Sequence, residues 1–260
     1  EERPARLVVP PAHDGTTPLP ILVLLHGYGA SAALQDGYFG TTRVARELGV
    51  YLVLPDGTED AGGSRFWNAG ACCDFGGVDV DDVGYLTGLL DEVEALVPVD
   101  TDRVYFLGHS NGGFMSYRMA CELSDRITAV AALAGTEATA VPCTPTRPVS
   151  VLHMHGTADT TILYEGGTIG GATYLSADDE VAAWRTRDAC GETPTEGPAR
   201  DFDSSVAGSE TSITTWSGCG EGSVVERWRL EGSGHIPPLG GGTGMTTPAI
   251  FEWLLARRST

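Results

Sequence analysis

Val104-Tyr105-Phe106-Leu107-Gly108-His109-Ser110-Asn111-Gly112-Gly113 decides the fold of this chain. The first four residues are apolar, with β-branched and aromatic side chains among them, and predict a buried strand. The run stops abruptly at the glycines. A helical pattern follows, with Phe114, Tyr117, Met119 and Cys121 among polar residues. Strand, sharp turn and helix therefore meet at Gly108-x-Ser110-x-Gly112. The glycines let the backbone turn tightly and keep side chains off the serine. Such a turn holds the Ser110 hydroxyl out over the end of the sheet. The helix N-terminus then aims free N–H groups at any oxyanion formed there. A glycine-rich turn with an incidental serine has the same pattern, so the rest of the chain has to decide.

Working outward, strands and helices alternate. Arg6 to Val9 reads as a short edge strand, stopped by Pro10-Pro11. Ile21 to Leu25 is a solid apolar run ending in His26-Gly27-Tyr28-Gly29. Thr42 to Leu48 reads as a helix closed by Gly49, and Tyr51 to Leu54 as the next strand. A long glycine-rich excursion, Thr58 to Val78, carries Trp67, Asn68, Cys72 and Cys73. A loop of that length in a folded domain is functional or cross-linked. Asp79 to Leu96 is expected to be a helix, with Val83, Leu86, Leu89, Leu90, Val93 and Leu96 on its apolar face. Its opening aspartates suit a helix N-terminus. Asp79, Asp81 and Asp82 also have the composition of a calcium site, but no matching ligand loop is visible.

Further strands are expected at Thr128 to Leu133, Val149 to Met154, Ile213 to Trp216 and Val224 to Leu230. Helices are expected at Ser176 to Arg187 and Pro248 to Arg257. Solid apolar strands alternating with helices predict an α/β fold, a mainly parallel sheet covered on both faces. With no internal repeat or linker, residues 1–260 are expected to form one domain.

Composition narrows the function. A formal net charge of −19 argues against nucleic acid and anionic membranes as partners. No apolar run approaches the roughly 18 residues of a membrane span. The six cysteines, Cys72, Cys73, Cys121, Cys143, Cys190 and Cys219, contain no C-x-x-C pair. That speaks against zinc. Their even number is compatible with three disulfides in an oxidising compartment. The N-terminal residues Glu1 to Arg6 lack a signal-peptide core, so secretion implies that a signal has already been removed. No metal or organic cofactor is expected, and a monomer is.

A serine nucleophile needs a base, an acid to orient the base, and an oxyanion hole. In a strand-turn-helix architecture of this kind they follow in the order serine, acid, histidine. Only His153, His155 and His235 lie after Ser110. His153 and His155 alternate along a buried strand, the pattern of structural histidines. His235 follows a late strand in a glycine-flanked loop. Asp159 leaves the end of the Met154 strand, whereas Asp178, Asp179 and Asp188 fall on or at the end of a helix. The expected triad is Ser110, Asp159 and His235. The expected oxyanion donors are the backbone N–H groups of Asn111 and Tyr28.

LHGYGAS (25–31), FWNAGACC (66–73), VDDVGYL (80–86), RVYFLGHSNGGFM (103–115), CELSDR (121–126), HGTAD (155–159) and GSGH (232–235) together resemble the polyhydroxybutyrate depolymerase and feruloyl esterase group of α/β-hydrolases. The likeness runs from about Leu22 to His235. It implies the same triad, an α/β-hydrolase fold and hydrolysis of carboxylic esters, small or polymeric, without cofactor. It also implies a disulfide between Cys190 and Cys219. The other four cysteines are expected to pair across, Cys72 and Cys73 with Cys121 and Cys143. The alternative is a Cys72–Cys73 bridge beside Cys121–Cys143. The chain departs from the group where Ile236-Pro237 follows the histidine in place of a frequent Trp-Pro.

Between Ala134 and Val149 there is too little chain for a large cap, so an open cleft is expected. Its substrate contacts are expected to be Tyr28, His109, Ile236 and Trp67, with Trp67 as an aromatic wall; a core tryptophan anchoring its loop is the rival reading. Feruloyl, acetyl or other short acyl esters head the substrate classes, with polyhydroxyalkanoates and other polyesters as the alternative. A non-catalytic binding protein on the same fold would lack a triad member, and none is missing.

Overall fold

The apolar runs assemble into a nine-stranded sheet in a computed structural model, which describes residues 3–70, 72–239 and 246–259. In chain order the elements begin with β1 (Arg6–Val8), β2 (Leu19–Leu25), α1 (Ala32–Phe39), α2 (Thr41–Leu48) and β3 (Tyr51–Leu54). Next come β4 (Thr58–Glu59), β5 (Arg65–Phe66), α3 (Asp82–Leu96), β6 (Val99–His109), α4 (Asn111–Glu122) and β7 (Ala129–Leu133). The remainder are β8 (Ser150–Gly156), β9 (Gly167–Ile169), β10 (Ala172–Tyr174), α5 (Ala177–Arg187), β11 (Thr195–Glu196), β12 (Thr211–Trp216), β13 (Val225–Leu230) and α6 (Thr246–Leu255).

The sheet order is β1-β3-β2-β6-β7-β8-β13-β12-β11. From β3 to β13 every neighbouring pair is parallel, and antiparallel strands close both edges. Each central strand is buried on both faces, as its uninterrupted apolar sequence requires. Along β2, Ile21, Val23 and Leu25 pack into one core, and Leu22 and Leu24 into the other. Buried side chains of α3, α4 and α5 join the first core, and those of α1, α2 and α6 the second.

Parallel register does the positioning. Leu25 is level with Gly108, His109 with Leu133, Leu133 with Met154, and Gly156 with Leu230. The segments that leave β2, β6, β8 and β13 therefore emerge along one edge. That carboxyl edge is where open α/β sheets bind ligands. The connection from β7 to β8 spans only residues 134–149 and builds no cap.

Several small elements lie outside the sequence expectation: α1, the β4–β5 ladder, the short edge strand β11 and the β9–β10 hairpin. The last has two strands of three residues, too short for periodicity to register. α1 carries Gly37, and only Ala32, Gln35 and Phe39 are buried along it.

Among the described residues no helix is long and apolar enough to cross a membrane. The disulfides are Cys72–Cys73, Cys121–Cys143 and Cys190–Cys219. Cys190–Cys219 is the pair that the resemblance implied. The expected cross-pairing of Cys72 and Cys73 with Cys121 and Cys143 is wrong, and the alternative is found. The reason is one-to-one pairing. The Cα atoms of Cys121 and Cys143 lie 5.0 Å apart, inside the separation that a bridge spans. Once they are joined, Cys72 and Cys73 are left to each other.

Candidate active site

Ser110 occupies the N-cap of α4, a position where serine ordinarily turns its hydroxyl back onto the helix. Here the hydroxyl makes no capping bond. Its backbone sits at φ 55°, ψ −122°, outside the regions that suit a residue with a side chain. The Ser110 N–H donates to the Leu133 carbonyl at 2.8 Å, and the Ser110 carbonyl accepts from Phe114 N–H at 3.0 Å. Glycine is required on both sides. A Cβ on Gly108 would overlap the Gly112 carbonyl, and one on Gly112 the Leu25 carbonyl.

The freed hydroxyl lies 3.0 Å from His235 Nε2, and His235 Nδ1 lies 2.7 Å from Asp159 Oδ2. An ionised carboxylate only accepts, so Nδ1 carries the hydrogen and Nε2 is free to accept from Ser110. Asp159 is buried. Burial pushes its carboxyl up, but hydrogen bonds from His155 and His235 outweigh that and hold it below the ordinary range. Its Oδ1 accepts from the N–H groups of Thr161 at 2.8 Å and Ile162 at 2.9 Å.

His109 lies beside this trio, its ring 4.9 Å from that of His235. Its Nε2–H donates to the His235 carbonyl at 2.9 Å, tying the β13 loop to the β6 turn. Burial, with His235 nearby, lowers the His109 pKa to about 4, so the ring is neutral at ordinary pH.

The turn after β2 is fixed by His26, which is fully buried. The His26 ring lies between Gly57 N–H, which donates to Nε2 at 2.9 Å, and the Gly27 carbonyl, 2.8 Å from Nδ1. Within the turn, Gly27 N–H donates to Gln35 Oε1, Gly29 N–H to the Arg65 carbonyl and Ala30 N–H to the Gly27 carbonyl. Among the described residues the Tyr28 N–H has no partner. Asn111 is the first residue of α4, whose N–H has no acceptor within the helix. Asn111 spends its side chain elsewhere. Its Oδ1 accepts from Trp67 N–H at 2.7 Å, and its Nδ2 donates to the Trp67 carbonyl at 2.8 Å.

The cavity at Ser110 has a volume of about 380 Å³. Expected contacts Tyr28, His109 and Ile236 line it. Trp67 does not. It is fully buried, its Nε1–H donates to the His26 carbonyl, and its ring stacks on Tyr85. The aromatic-wall reading of Trp67 is therefore corrected to the loop-anchoring one. The aromatic wall is Tyr28 with Phe75, ring centroids 5.1 Å apart, and Tyr38 from α1. Phe75 lies in the 58–78 excursion, so the segment was identified but not the residue. Leu34, Ile162 and Ile169 complete the wall from elements whose sequence carried no such signal.

Two of the three clustered aspartates are spent on structure. Asp81 caps α3 through Gly84 N–H. Asp82 is fully buried, accepting from Arg3 at 2.6 Å and from Asn68 N–H at 2.7 Å.

No family model matches the chain. Feruloyl esterase B of Piromyces equi is 29% identical over 236 residues, 87% of this chain and 41% of that protein. The chain thus spans about two fifths of this relative. Feruloyl esterase C of Emericella nidulans is 25% identical over 257 residues, 96% of this chain and 83% of the relative. The structure of an acetyl xylan esterase from Aspergillus awamori superposes with a TM-score of 0.67 at 15% identity, covering 96% of this chain and 93% of that one.

The chain has the α/β-hydrolase fold. Within this fold the serine, acid and histidine leave the ends of β6, β8 and β13, in the chain order expected of it. Its small cavity, almost wholly apolar, opens beside the serine.

Proposed function

We propose that this chain is a serine carboxylic ester hydrolase acting on feruloyl, acetyl or similar short acyl esters, such as those of plant polysaccharides. The Ser110–His235–Asp159 chain of hydrogen bonds carries the reading. The curated relatives bearing feruloyl esterase names support the substrate class.

In the proposed reaction His235 Nε2 takes the Ser110 proton as Oγ attacks the ester carbonyl. Asp159 stabilises the imidazolium through Nδ1. The N–H groups of Asn111 and Tyr28 receive the oxyanion. The tetrahedral intermediate collapses, the C–O bond to the alcohol breaks, and His235 returns the proton to the leaving oxygen. Water, deprotonated by His235, then hydrolyses the acyl-Ser110 ester. None of these steps calls on a cofactor. The three disulfides support residence in an oxidising, extracellular compartment.

Tyr28, Leu34, Phe75 and Ile236 are all exposed at the cavity rim. That apolar rim favours a second reading, in which the ester is carried on a polyester chain.

Ser110→Ala is the test, with methyl ferulate, p-nitrophenyl acetate, p-nitrophenyl decanoate and an amorphous polyester as substrates. Turnover should fall by several orders of magnitude, up to the roughly 10⁶ seen for nucleophile removal in a serine protease, with the fold unchanged. Residual activity above about a tenth would place the nucleophile elsewhere. Faster turnover of the decanoate than of the acetate and ferulate would reject the short-acyl reading.

A further inference from the structure

The mechanism uses one histidine after Ser110 and leaves another, His155, against the acid. His155 is the penultimate residue of β8 and is fully buried. Its Nε2 lies 2.8 Å from the Ile162 carbonyl and 3.4 Å from Asp159 Oδ2. Both neighbours accept, so Nε2 carries the hydrogen. Nδ1 is then a bare acceptor, buried and without a partner among the described residues. An unsatisfied buried atom costs stability.

The turn beneath that nitrogen is short and closed. Asp159 Oδ1 accepts from the N–H groups of Thr161 and Ile162. The Ile162 carbonyl receives His155. The imidazole thus pins residues 159–162 to the rigid strand from which they emerge. It leaves Asp159 Oδ2 facing His235 Nδ1. The ring is itself held between His153 and Tyr164, with centroids 5.5 Å away on either side.

We propose that His155 is a positioning residue for ester hydrolysis, its Nε2–H holding the 159–162 turn so that Asp159 Oδ2 stays on His235. The proposal rests on the triad reading above. Loss of that hydrogen bond lets the turn relax. The carboxylate then no longer orients His235 in the transition state, while the cavity that binds the ester keeps its walls. The effect belongs in kcat, since it acts on a contact that matters most as the imidazolium forms.

The test compares His155→Gln, His155→Asn and His155→Leu with the parent and with Ser110→Ala, using p-nitrophenyl acetate kinetics and thermal melting. A glutamine amide reaches where Nε2 stands. Asparagine is one methylene short, and leucine has no N–H. Asn and Leu should lower kcat by about 10–100-fold, the scale known for losing the hydrogen-bond partner that orients a metal-ligating histidine. KM should stay within about twofold, and Gln should recover most of the loss. Unchanged kcat in all three variants would overturn the proposal, as would a change confined to KM. Gln no better than Asn and Leu would overturn it too, including the case in which none of the three folds. Activity retained by Ser110→Ala would instead sink the triad reading, so the two failures are distinguishable.

Discussion

At Ser110 a single backbone conformation separates a helix cap from the proposed nucleophile. With φ at 55° the hydroxyl leaves the helix and meets His235. Trp67 shows the opposite case, a large aromatic beside the site that never touches the cavity. Its ring is buried, and its backbone is clasped by Asn111. Trp67→Ala should therefore cost stability, about 3–5 kcal/mol for a buried aromatic, as measured by denaturant unfolding. Its kcat/KM should fall by one common factor for methyl ferulate and p-nitrophenyl acetate. A selective loss on ferulate would restore Trp67 to the cavity wall. That difference was illegible in sequence, because a tryptophan in a glycine-rich loop has no periodicity to show which way it points.

At the scale of elements, the loops hold the site and the disulfides hold the loops. Cys190–Cys219 closes a sequence separation of 29 residues that contains the short edge strand β11 and the whole of β12. Replacing both cysteines by serine should lower unfolding free energy by about 3–4 kcal/mol in the chain-entropy picture. A loss below about 1 kcal/mol would mean that β11 and β12 hold the segment unaided. The α3 N-terminus makes a second point. Asp82 binds Arg3 and Asn68 N–H, with Asn68 next to Trp67, so the acidic run anchors the excursion to the helix.

Across the whole molecule, buried carboxyls set the response to pH. Asp188, at the end of α5, is buried, and Ser223 is its side-chain partner at 3.1 Å. Among the described residues its Oδ1 has none. Burial raises its pKa to about 7, against 3.8 for the ordinary group. The folded chain therefore keeps a proton that the unfolded chain sheds between those two values. The sign follows from linkage: its contribution is fully present below pH 4 and is lost as pH rises through 7. Asp188→Asn should leave stability nearly unchanged at pH 4. At pH 8.5 it should raise stability by on the order of 2–4 kcal/mol. Thermal melts at both pH values check this, and an equal effect at each would refute it.

The alternation of solid apolar strands with helices, and the chain order of Ser110, Asp159 and His235, were legible from sequence alone. Both are one-dimensional: burial on two faces demands unbroken apolar runs, and parallel connections bring every strand's end to one edge. Which cysteines pair, which aromatics face the cavity, and that a second histidine touches the acid were decided only by the tertiary structure. Those outcomes depend on the approach of the 134–149 connection to α4, the direction of side chains in an irregular loop, and a turn folding back from Asp159 onto β8. No local pattern encodes such distances, because the partners belong to different elements and meet only when the sheet is complete.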